Sequence, residues 1–437
     1  MDKTKLNLNS KVENIDDIIY SFLEIIKDID LVVENMKEES DIESIVNISS
    51  ILLVLANSKQ YLDSEVIEDI IYKYMKELNY RLNDIGPMDV SLYGGLSGIA
   101  FSIKFISDEY PYYKKTLSKL NKLIVRKTNY MIQYIKHEKE VKMSYYDIIS
   151  GVSGVALYLM QFKDTYIIEC VKNINKFLID MSKIKKVYNE PILGFYISSE
   201  NQFLEKEKRM YKRGTLNFGL SHGICSPLVA LSLSYENGII VENQKQTIES
   251  LLTILDKYKV EKEDCIFWNG VLSFEEYNSF DSNIYKLEPR ASWCYGTPGI
   301  ARSIYIGGRA IGNDRYLDLA KDSLLYLCKK QDSSEWMLDS PTICHGLSGM
   351  AVVLNLMNHE EKNDAYLTSL KILLDDILNL YNKSNKYLFK NIDEEIYGKF
   401  KYEDNLDVLT GSSGVILTLM FLRDFNIKDT FRILGVI

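Results

Sequence analysis

Two cysteines and two histidines occupy matching places in a repeated turn of this 437-residue chain. Six segments share a Gly-x-x-Gly-like turn followed by an apolar run. Three consecutive turns are preceded by Ser221-His222, Cys294-Tyr295 and Cys344-His345. Because the chain holds only four His and six Cys, this coincidence is not expected by chance. Thiolates and imidazoles are preferred ligands of Zn²⁺, so the register predicts a zinc site. The six turns are 95–98, 151–154, 223–226, 296–299, 346–349 and 411–414.

The chemistry of such a site follows from its donors. Cys294, Cys344 and His345 would supply three protein ligands and leave one position open, as in catalytic zinc sites. A third thiolate at the open position would have a pKa below its usual ~8.5 while its sulfur stays nucleophilic. The pattern therefore predicts alkylation of a substrate thiol. Two alternatives stay open: a closed four-ligand zinc with His222 or Cys225 as the fourth ligand, and cysteines that are merely small buried hydrophobes.

Other polar residues fall near the same level of the repeat. His222 matches His345 in register and could act as a general acid or base, as a fourth ligand or as a hydrogen-bonded core histidine. Asp147 lies four residues before its glycine turn and Arg290 lies four before Cys294, so they are either paired or functional. Tyr295 could donate a hydrogen bond or simply pack. Asp407, also four residues before a turn, shows that the Asp spacing is not unique.

The elements that position these residues are two kinds of helix. Each glycine turn leads into a run that is apolar on nearly all sides, which indicates a helix buried all round. Ser or Thr is expected near the N-cap, with Pro298 and Pro227 tolerated in the first turn. Segment 42–56 is a seventh such run without the glycine turn. The apolar runs after the turns are 99–106, 155–162, 228–233, 300–306, 350–357 and 415–422.

Between these runs lie seven segments with a single apolar stripe, which is typical of amphipathic helices. Alternating buried and half-buried helices predict an all-α fold, an α/α toroid of seven inner and seven outer helices forming one domain over residues 1–437. A solenoid of helical hairpins is the alternative. The inner-helix N-termini would converge on one mouth of the toroid. The striped segments are 12–33, 64–82, 114–136, 164–184, 243–258, 315–330 and 361–381.

Two stretches interrupt this alternation. Residues 185–216 form a predicted inserted extension with a short β-like run at 192–197 and a mixed-charge run at 205–213, which is suited to polar contacts with a peptide. Residues 260–289 contain two more strand-like runs, 265–268 and 271–274.

Composition excludes several classes of function. The formal charge of −9 argues against nucleic-acid binding, which needs a basic face. The polar N-terminus lacks the apolar core of a signal peptide, and no segment approaches ~18 uninterrupted apolar residues. Six cysteines in so long a chain are not a disulfide framework. The expectation is a soluble cytoplasmic protein.

The chain resembles the lanthionine synthetase C-like (LanC) family, the cyclases that make thioether rings in lanthipeptides. The resemblance is carried by motifs spread over nearly the whole chain, and it looks like the free-standing cyclases of nisin- or subtilin-type systems. The family fold is a seven-fold α/α toroid. The motifs are Arg290-Ala-Ser-Trp-Cys-Tyr-Gly-Thr-Pro-Gly299, Cys344-His-Gly-Leu-Ser-Gly349, Ser221-His-Gly-Ile-Cys-Ser-Pro227, Tyr93-Gly-Gly-Leu-Ser-Gly98 and Tyr146-Asp-Ile-Ile-Ser-Gly151.

The resemblance implies one zinc ion on Cys294, Cys344 and His345, with His222, Asp147, Arg290 and Tyr295 assisting proton transfer and enolate stabilisation. The reaction would be Michael-type addition of precursor Cys thiolates to dehydroalanine or dehydrobutyrine. The family commonly has a small residue where Ser226 stands, beside Cys225.

The expected substrate is a dehydrated precursor with a leader peptide, and the expected partners are a dehydratase and an ABC transporter that could hold the enzyme at the inner membrane. The alternatives are addition of a separate thiol such as glutathione to a dehydrated peptide, a non-catalytic peptide-binding scaffold, and a toroidal prenyltransferase subunit.

Overall fold

Helices make up most of the structure, and their bounds follow the apolar runs of the sequence. The computed structural model describes residues 12–86, 88–262, 265–279, 289–330, 332–396 and 399–437. The α-helices are α1 Val12–Lys27, α2 Ile29–Asn35, α3 Asp41–Ala56, α4 Ser64–Ile85, α5 Leu96–Glu109, α6 Lys114–Ile135, α7 Met143–Tyr146, α8 Val152–Leu159, α9 Thr165–Met181, α10 Glu205–Met210, α11 Cys225–Glu236, α12 Gln244–Lys257, α13 Phe274–Ser279, α14 Thr297–Ile311, α15 Asp314–Leu327, α16 Leu347–Glu361, α17 Asp364–Asn379 and α18 Ser412–Arg423.

Short strands form four antiparallel pairs among the described residues. Pairing joins β1 to β2, β3 to β6, β4 to β5 and β7 to β8. The strands are β1 Ile184–Val187, β2 Glu190–Leu193, β3 Thr215–Asn217, β4 Val260–Lys262, β5 Cys265–Phe267, β6 Val271–Ser273, β7 Asn391–Ile396 and β8 Lys399–Glu403.

The chain divides into two compact units, each assembled from separated segments. The first unit comprises Met1–Asp89, Gly94–Lys119 and Cys328–Thr430; the second comprises Val90–Tyr93, Leu120–Leu327 and Phe431–Ile437. In the first unit α3 packs against α5 and α18, and α18 packs against α16. In the second unit α11 packs against both α8 and α14. The single-domain organisation stays a prediction.

The predicted alternation of two helix types is present. In α8 every residue is buried, and α14, α16 and α18 are buried over ten or more consecutive positions. In α4 the buried residues are only Ile67, Ile70, Ile71, Tyr74 and Leu78, a stripe of helical spacing. The buried helices are α3, α5, α8, α11, α14, α16 and α18; each predicted striped segment forms a half-buried helix.

Glycine is required in the turns because two backbones meet there. A Cβ on Gly154 would lie 2.0 Å from the carbonyl oxygen of Ile148, and one on Gly299 would lie 1.9 Å from that of Trp293. Gly414 stands in the same relation to Val408, at 1.9 Å. Each turn therefore curls back onto the residue six positions earlier. This curl places the loop residues before each buried helix close to that helix's N-terminus.

Three local expectations are wrong. The N-caps of α5, α8, α14, α16 and α18 are the first glycines of their turns and make no side-chain cap bond, so Ser and Thr do not cap these helices. Segment 12–33 is two helices, because the Asp28 side chain accepts a hydrogen bond from Leu31 N and starts a new helix. The strand expected over 192–197 ends at Leu193, and Ile197 forms only an isolated bridge with Thr215.

The two irregular stretches are joined in the second unit. Strand β3 of the first stretch pairs with β6 of the second. Ile192, Tyr196 and Phe274 form a small buried cluster, and the Arg213 guanidinium lies 4.2 Å from the centre of the Phe274 ring. The two stretches thus form one appendage of residues 184–217 and 260–279. Part of the predicted segment 260–289, namely 263–264 and 280–288, lies outside the described residues.

Residues 431–437 belong to the second unit, where they bond to loops that precede buried helices. The Leu434 carbonyl accepts from the Trp293 indole at 3.2 Å, and the Val436 carbonyl accepts from Nε of the fully buried Arg302 at 2.7 Å. These contacts tie residues 434 and 436 to Trp293, in the loop that carries Cys294, and to helix α14.

None of the helices in the described part of the chain combines the length and the hydropathy that a membrane span requires.

Candidate functional site

The predicted site residues lie in loops that immediately precede buried helices. In the second unit, Asp147 precedes α8, His222 precedes α11, and Arg290, Cys294 and Tyr295 precede α14. In the first unit, Cys344 and His345 precede α16. The glycine turns thus position every candidate at a helix N-terminus, as the repeat predicts.

Asp147 and His222 form a close pair. Oδ2 of Asp147 lies 2.5 Å from Nδ1 of His222, and Asp147 is fully buried. Its other oxygen, Oδ1, accepts from the backbone N–H groups of Ser150 and Gly151, both at 2.7 Å. A carboxylate only accepts, so the pair assigns the proton to Nδ1 and leaves Nε2 of His222 for a substrate. The imidazole is 21% exposed, which allows that contact.

Backbone hydrogen bonds join three loops of the second unit through Ser221. Ile148 N donates to the Ser221 carbonyl at 3.3 Å, and Ser221 N donates to the Cys294 carbonyl at 3.2 Å. The Ser221 hydroxyl also donates to the Cys294 carbonyl, at 3.3 Å. The loops of Asp147, His222 and Cys294 are therefore held in a fixed order. The sequence register predicted that His222, Cys294, Cys344 and His345 line one cavity. In the second unit the loops of His222 and Cys294 are bonded to each other, and the four-residue cavity stays a prediction.

Cys294 and its neighbours are held tightly. Cys294 is 7% exposed, and its Sγ lies 3.5 Å from the Ser292 hydroxyl oxygen. The Tyr295 ring lies 6.2 Å from the His222 ring, measured between centroids. Arg290 begins the loop with a half-buried side chain, and its carbonyl accepts from Ser292 N at 2.8 Å. Tyr295 therefore lies beside His222, and its role in the reaction stays a prediction.

Two aromatic residues beside His222 were missed by the sequence reasoning. The Phe203 ring meets the imidazole edge-on, with centroids 4.9 Å apart. The Tyr146 hydroxyl donates to the His222 carbonyl at 3.2 Å. Burial, reinforced by the Asp147 charge, raises the pKa of Tyr146 well above its usual value, so it remains a neutral donor. The position of Tyr146 next to Asp147 in the sequence could have indicated that Tyr146 lies at the site. No local sequence pattern indicates this for Phe203.

In the first unit, the loop of Cys344 and His345 is anchored to the Leu409 carbonyl. The N–H groups of Ile343 and Cys344 donate to the Leu409 carbonyl at 3.1 and 2.9 Å. Nε2 of His345 lies 2.9 Å from Oδ1 of Asp393. This contact is within ion-pair distance but is not aligned as a hydrogen bond, and Nε2 is shielded from solvent without a hydrogen-bond partner.

These donors are chemically suited to zinc. A thiol next to an imidazole is a donor pair of the kind that zinc prefers, and Cys344 and His345 stand side by side in the loop before α16. Among the residues described, no group of three or more His, Cys, Asp or Glu side chains is gathered as a metal site. The zinc set of Cys294, Cys344 and His345 therefore stays a prediction.

Cys225, the alternative fourth ligand, has an environment unlike that of a metal ligand. It is fully buried in α11, and burial raises the pKa of its thiol to about 12, with a lesser opposing effect from Ser303. Cys225 is thus a core residue inside a helix, unlike Cys294, Cys344 and His345, which lie in loops before helices.

Comparison with known proteins gives consistent matches. The family model described as "Lanthionine synthetase C-like protein" matches residues 45–434. The "Nisin biosynthesis protein NisC" of Lactococcus lactis subsp. lactis is 28% identical over 377 residues, which are 85% of this chain and 88% of that protein. A solved structure of "Nisin cyclase" has a TM-score of 0.78 and 25% identity, covering 98% of each chain. That structure is an α/α toroid, so the predicted fold class is confirmed.

Proposed function

Because the chain belongs to the lanthionine synthetase C-like family, we propose that it is a lanthipeptide cyclase that closes thioether rings in a dehydrated precursor peptide. The relationship to nisin cyclase supports this function. The observation that carries it in this molecule is the Asp147–His222 pair, whose loop is bonded to the loop of Cys294.

The reaction is an addition without loss of atoms. The sulfur of a precursor cysteine forms a bond to the β-carbon of dehydroalanine or dehydrobutyrine, and its thiol proton leaves. The β-carbon–α-carbon double bond becomes single, and the electron pair moves to an enolate. The α-carbon then takes a proton. One proton is therefore removed and one is delivered, which a single oriented imidazole can assist.

His222 suits this proton transfer. Asp147 holds the Nδ1 side of the ring, which leaves Nε2 to take or give a proton. Tyr295, whose ring borders His222, and Arg290 are proposed to stabilise the enolate oxygen as hydrogen-bond donors. Such preorganised donors act at the atom where charge develops.

Cys294, Cys344 and His345 are the residues that would hold one zinc ion. When bound, zinc supplies positive charge that favours the thiolate form of the substrate cysteine. Cys294 and Cys344 would contribute thiolates, and His345 would contribute an imidazole nitrogen. The first unit supports this assignment through the soft donors at residues 344 and 345.

We further propose that the appendage contributes to precursor binding. Helix α10 is charged, with Glu205 and Lys208 paired at 2.6 Å, yet Phe203, Leu204 and Met210 around it are more than half exposed. A mixed charged and apolar surface suits an extended peptide. Phe203 also contacts His222, so the appendage reaches from its surface to the proposed acid–base residue. A dehydratase and a transporter are proposed partners in a cytoplasmic complex that could lie at the inner membrane.

The function is tested with a dehydrated precursor that carries its leader. Ring closure leaves the peptide mass unchanged but removes the free thiol, so alkylation by N-ethylmaleimide followed by mass spectrometry counts the rings. Loss of alkylation with the purified protein, and not with its His222→Asn variant, is the expected result. A Cys-free precursor incubated with glutathione distinguishes the rival reaction, because an intermolecular addition would increase the peptide mass. Full alkylation under every condition would contradict the cyclase assignment.

A further inference from the structure

A chain of polar side chains in the first unit leads from the loop before α16 to strand β7 and back to His345. We propose that Asp393, held by Asn391, is a positioning residue that presents Nδ1 of His345 to the zinc ion. This inference rests on the zinc-dependent function proposed above. It concerns which imidazole nitrogen binds the metal and what orients the ring.

The first step is the orientation of His345. Nε2 is shielded from solvent and lies 2.9 Å from the Asp393 carboxylate, yet the side chain as a whole is 16% exposed. The exposed part of the ring therefore lies away from Nε2. A carboxylate beside Nε2 favours a proton on that nitrogen and leaves the lone pair on Nδ1, which is the arrangement of a metal-binding histidine oriented by a carboxylate.

The second step is the orientation of Asp393. Its Oδ2 accepts from Nδ2 of Asn391 at 2.7 Å, which leaves Oδ1 to face the imidazole. Asn391 and Asp393 are two positions apart in β7 and so lie on one face of the strand, whereas Glu394 lies on the other. The Asp393 side chain is 44% exposed, so its charge is partly screened and its contribution is mainly one of position.

The third step is the anchor of Asn391, which is 2% exposed. Its Oδ1 lies 3.2 Å from the Ser340 hydroxyl and 3.1 Å from the Thr342 hydroxyl. Two hydroxyl donors on one side and a carboxylate acceptor on the other assign the amide orientation. Ile392 N also donates to the Ser340 hydroxyl, at 3.2 Å.

These contacts form a closed circuit. Ser340 and Thr342 belong to the loop that carries Cys344 and His345. Their hydroxyls bond to Asn391, and Asn391 donates to Asp393. Asp393 in turn lies beside His345 of the same loop. This closed set of contacts holds the His345 imidazole in one orientation before any metal binds. Partners of this kind commonly change metal affinity by about 10- to 100-fold when removed.

The test compares zinc affinity in Asp393→Asn and Asn391→Ala with the control Glu394→Gln, a charge removal at the exposed neighbouring position of the same strand. Zinc content of the unaltered protein is measured first, then dissociation constants by chelator competition, with thermal melting as a check of folding. The expected result is about 10-fold or greater weakening of zinc affinity in both test variants and no change in the control. The melting temperature should stay unchanged in Asp393→Asn and fall in Asn391→Ala, because the Ser340 and Thr342 hydroxyls lose their acceptor there.

Cobalt substitution provides a second measurement. The absorption bands of bound Co²⁺ report on its ligands and should shift in Asp393→Asn but not in Glu394→Gln. Equal zinc affinity and equal cobalt spectra in the two variants would overturn the positioning role while leaving the zinc function intact. An unaltered protein that binds no zinc would overturn the zinc function itself, and the positioning role with it.

Discussion

Asp147 and Asp407 occupy equivalent places in their turns but use their second carboxylate oxygen differently. In each, Oδ1 accepts two backbone N–H groups of its own turn at 2.7 Å. Oδ2 of Asp147 faces His222 at 2.5 Å, whereas Oδ2 of Asp407 accepts from its neighbour Thr410 at 2.7 Å. The same turn thus serves an acid–base pair in one unit and only a local structure in the other.

Asp147→Asn is therefore expected to slow ring closure by about 10²-fold or more, because the amide no longer enforces a proton on Nδ1 of His222. Zinc content should not change. The rate is measured by the alkylation assay and the metal by elemental analysis. An unchanged rate would show that the orientation of His222 by Asp147 does not contribute to ring closure.

Asp407→Asn is the matched control, and it should leave the rate unchanged. Burial raises the pKa of Asp407, and its hydrogen bonds to the Thr410 turn only partly oppose this. A raised folded-state pKa means that ionisation disfavours the folded state as pH rises through that pKa. The variant should therefore melt at a higher temperature at neutral pH. This gain should vanish below the ordinary Asp pKa of about 3.9. Thermal melts from acid to neutral pH measure the effect, and a lower melting temperature at pH 7 would contradict it.

His222→Asn should keep zinc and lose about 10²- to 10⁴-fold in rate, since proton transfer is removed and metal binding is not. The ring pattern of the product should be analysed as well as the rate, because an addition without the His222 imidazole can join a cysteine to a different dehydrated residue. Loss of zinc from this variant would make His222 a ligand and the site a closed one.

Cys294→Ala and Cys344→Ala should each lose zinc, whereas Cys225→Ala should retain one zinc per chain. The contrast follows from the position of Cys225, which is fully buried inside α11 and not in a loop before a helix. Elemental analysis of the three proteins gives the result. Full zinc content in both Cys294→Ala and Cys344→Ala would contradict the assignment of these cysteines as zinc ligands.

Replacing Leu204 and Met210 together by Ser should weaken binding of the leader-bearing precursor while leaving a leaderless one unaffected. Both side chains are 60% exposed, so folding should not suffer. Ile240→Ser, at a residue 52% exposed elsewhere in the second unit, is the control. The affinities for the two peptides are measured by calorimetry. An equal loss of affinity for both peptides, or no loss for either, would contradict a leader-binding role.

The sequence predicted the parts of the molecule that depend on short-range patterns. Apolar spacing predicted the buried and striped helices. The repeat predicted that the loops before the buried helices come together, as the bonded loops of His222 and Cys294 do in the second unit. It could not find Phe203 or Asp393, because each comes from a hairpin or an irregular segment whose placement depends on distant contacts. The break at Asp28 was missed for a different reason: a single side-chain cap outweighs a continuous apolar stripe there.

The tie between residues 431–437 and the second unit has a consequence for synthesis. The indole of Trp293 and the guanidinium of Arg302 bond to the Leu434 and Val436 carbonyls, which the ribosome adds more than 100 positions later. The loop of Cys294 and helix α14 therefore cannot acquire these bonds until residues 434 and 436 have been synthesised, however early the surrounding helices form.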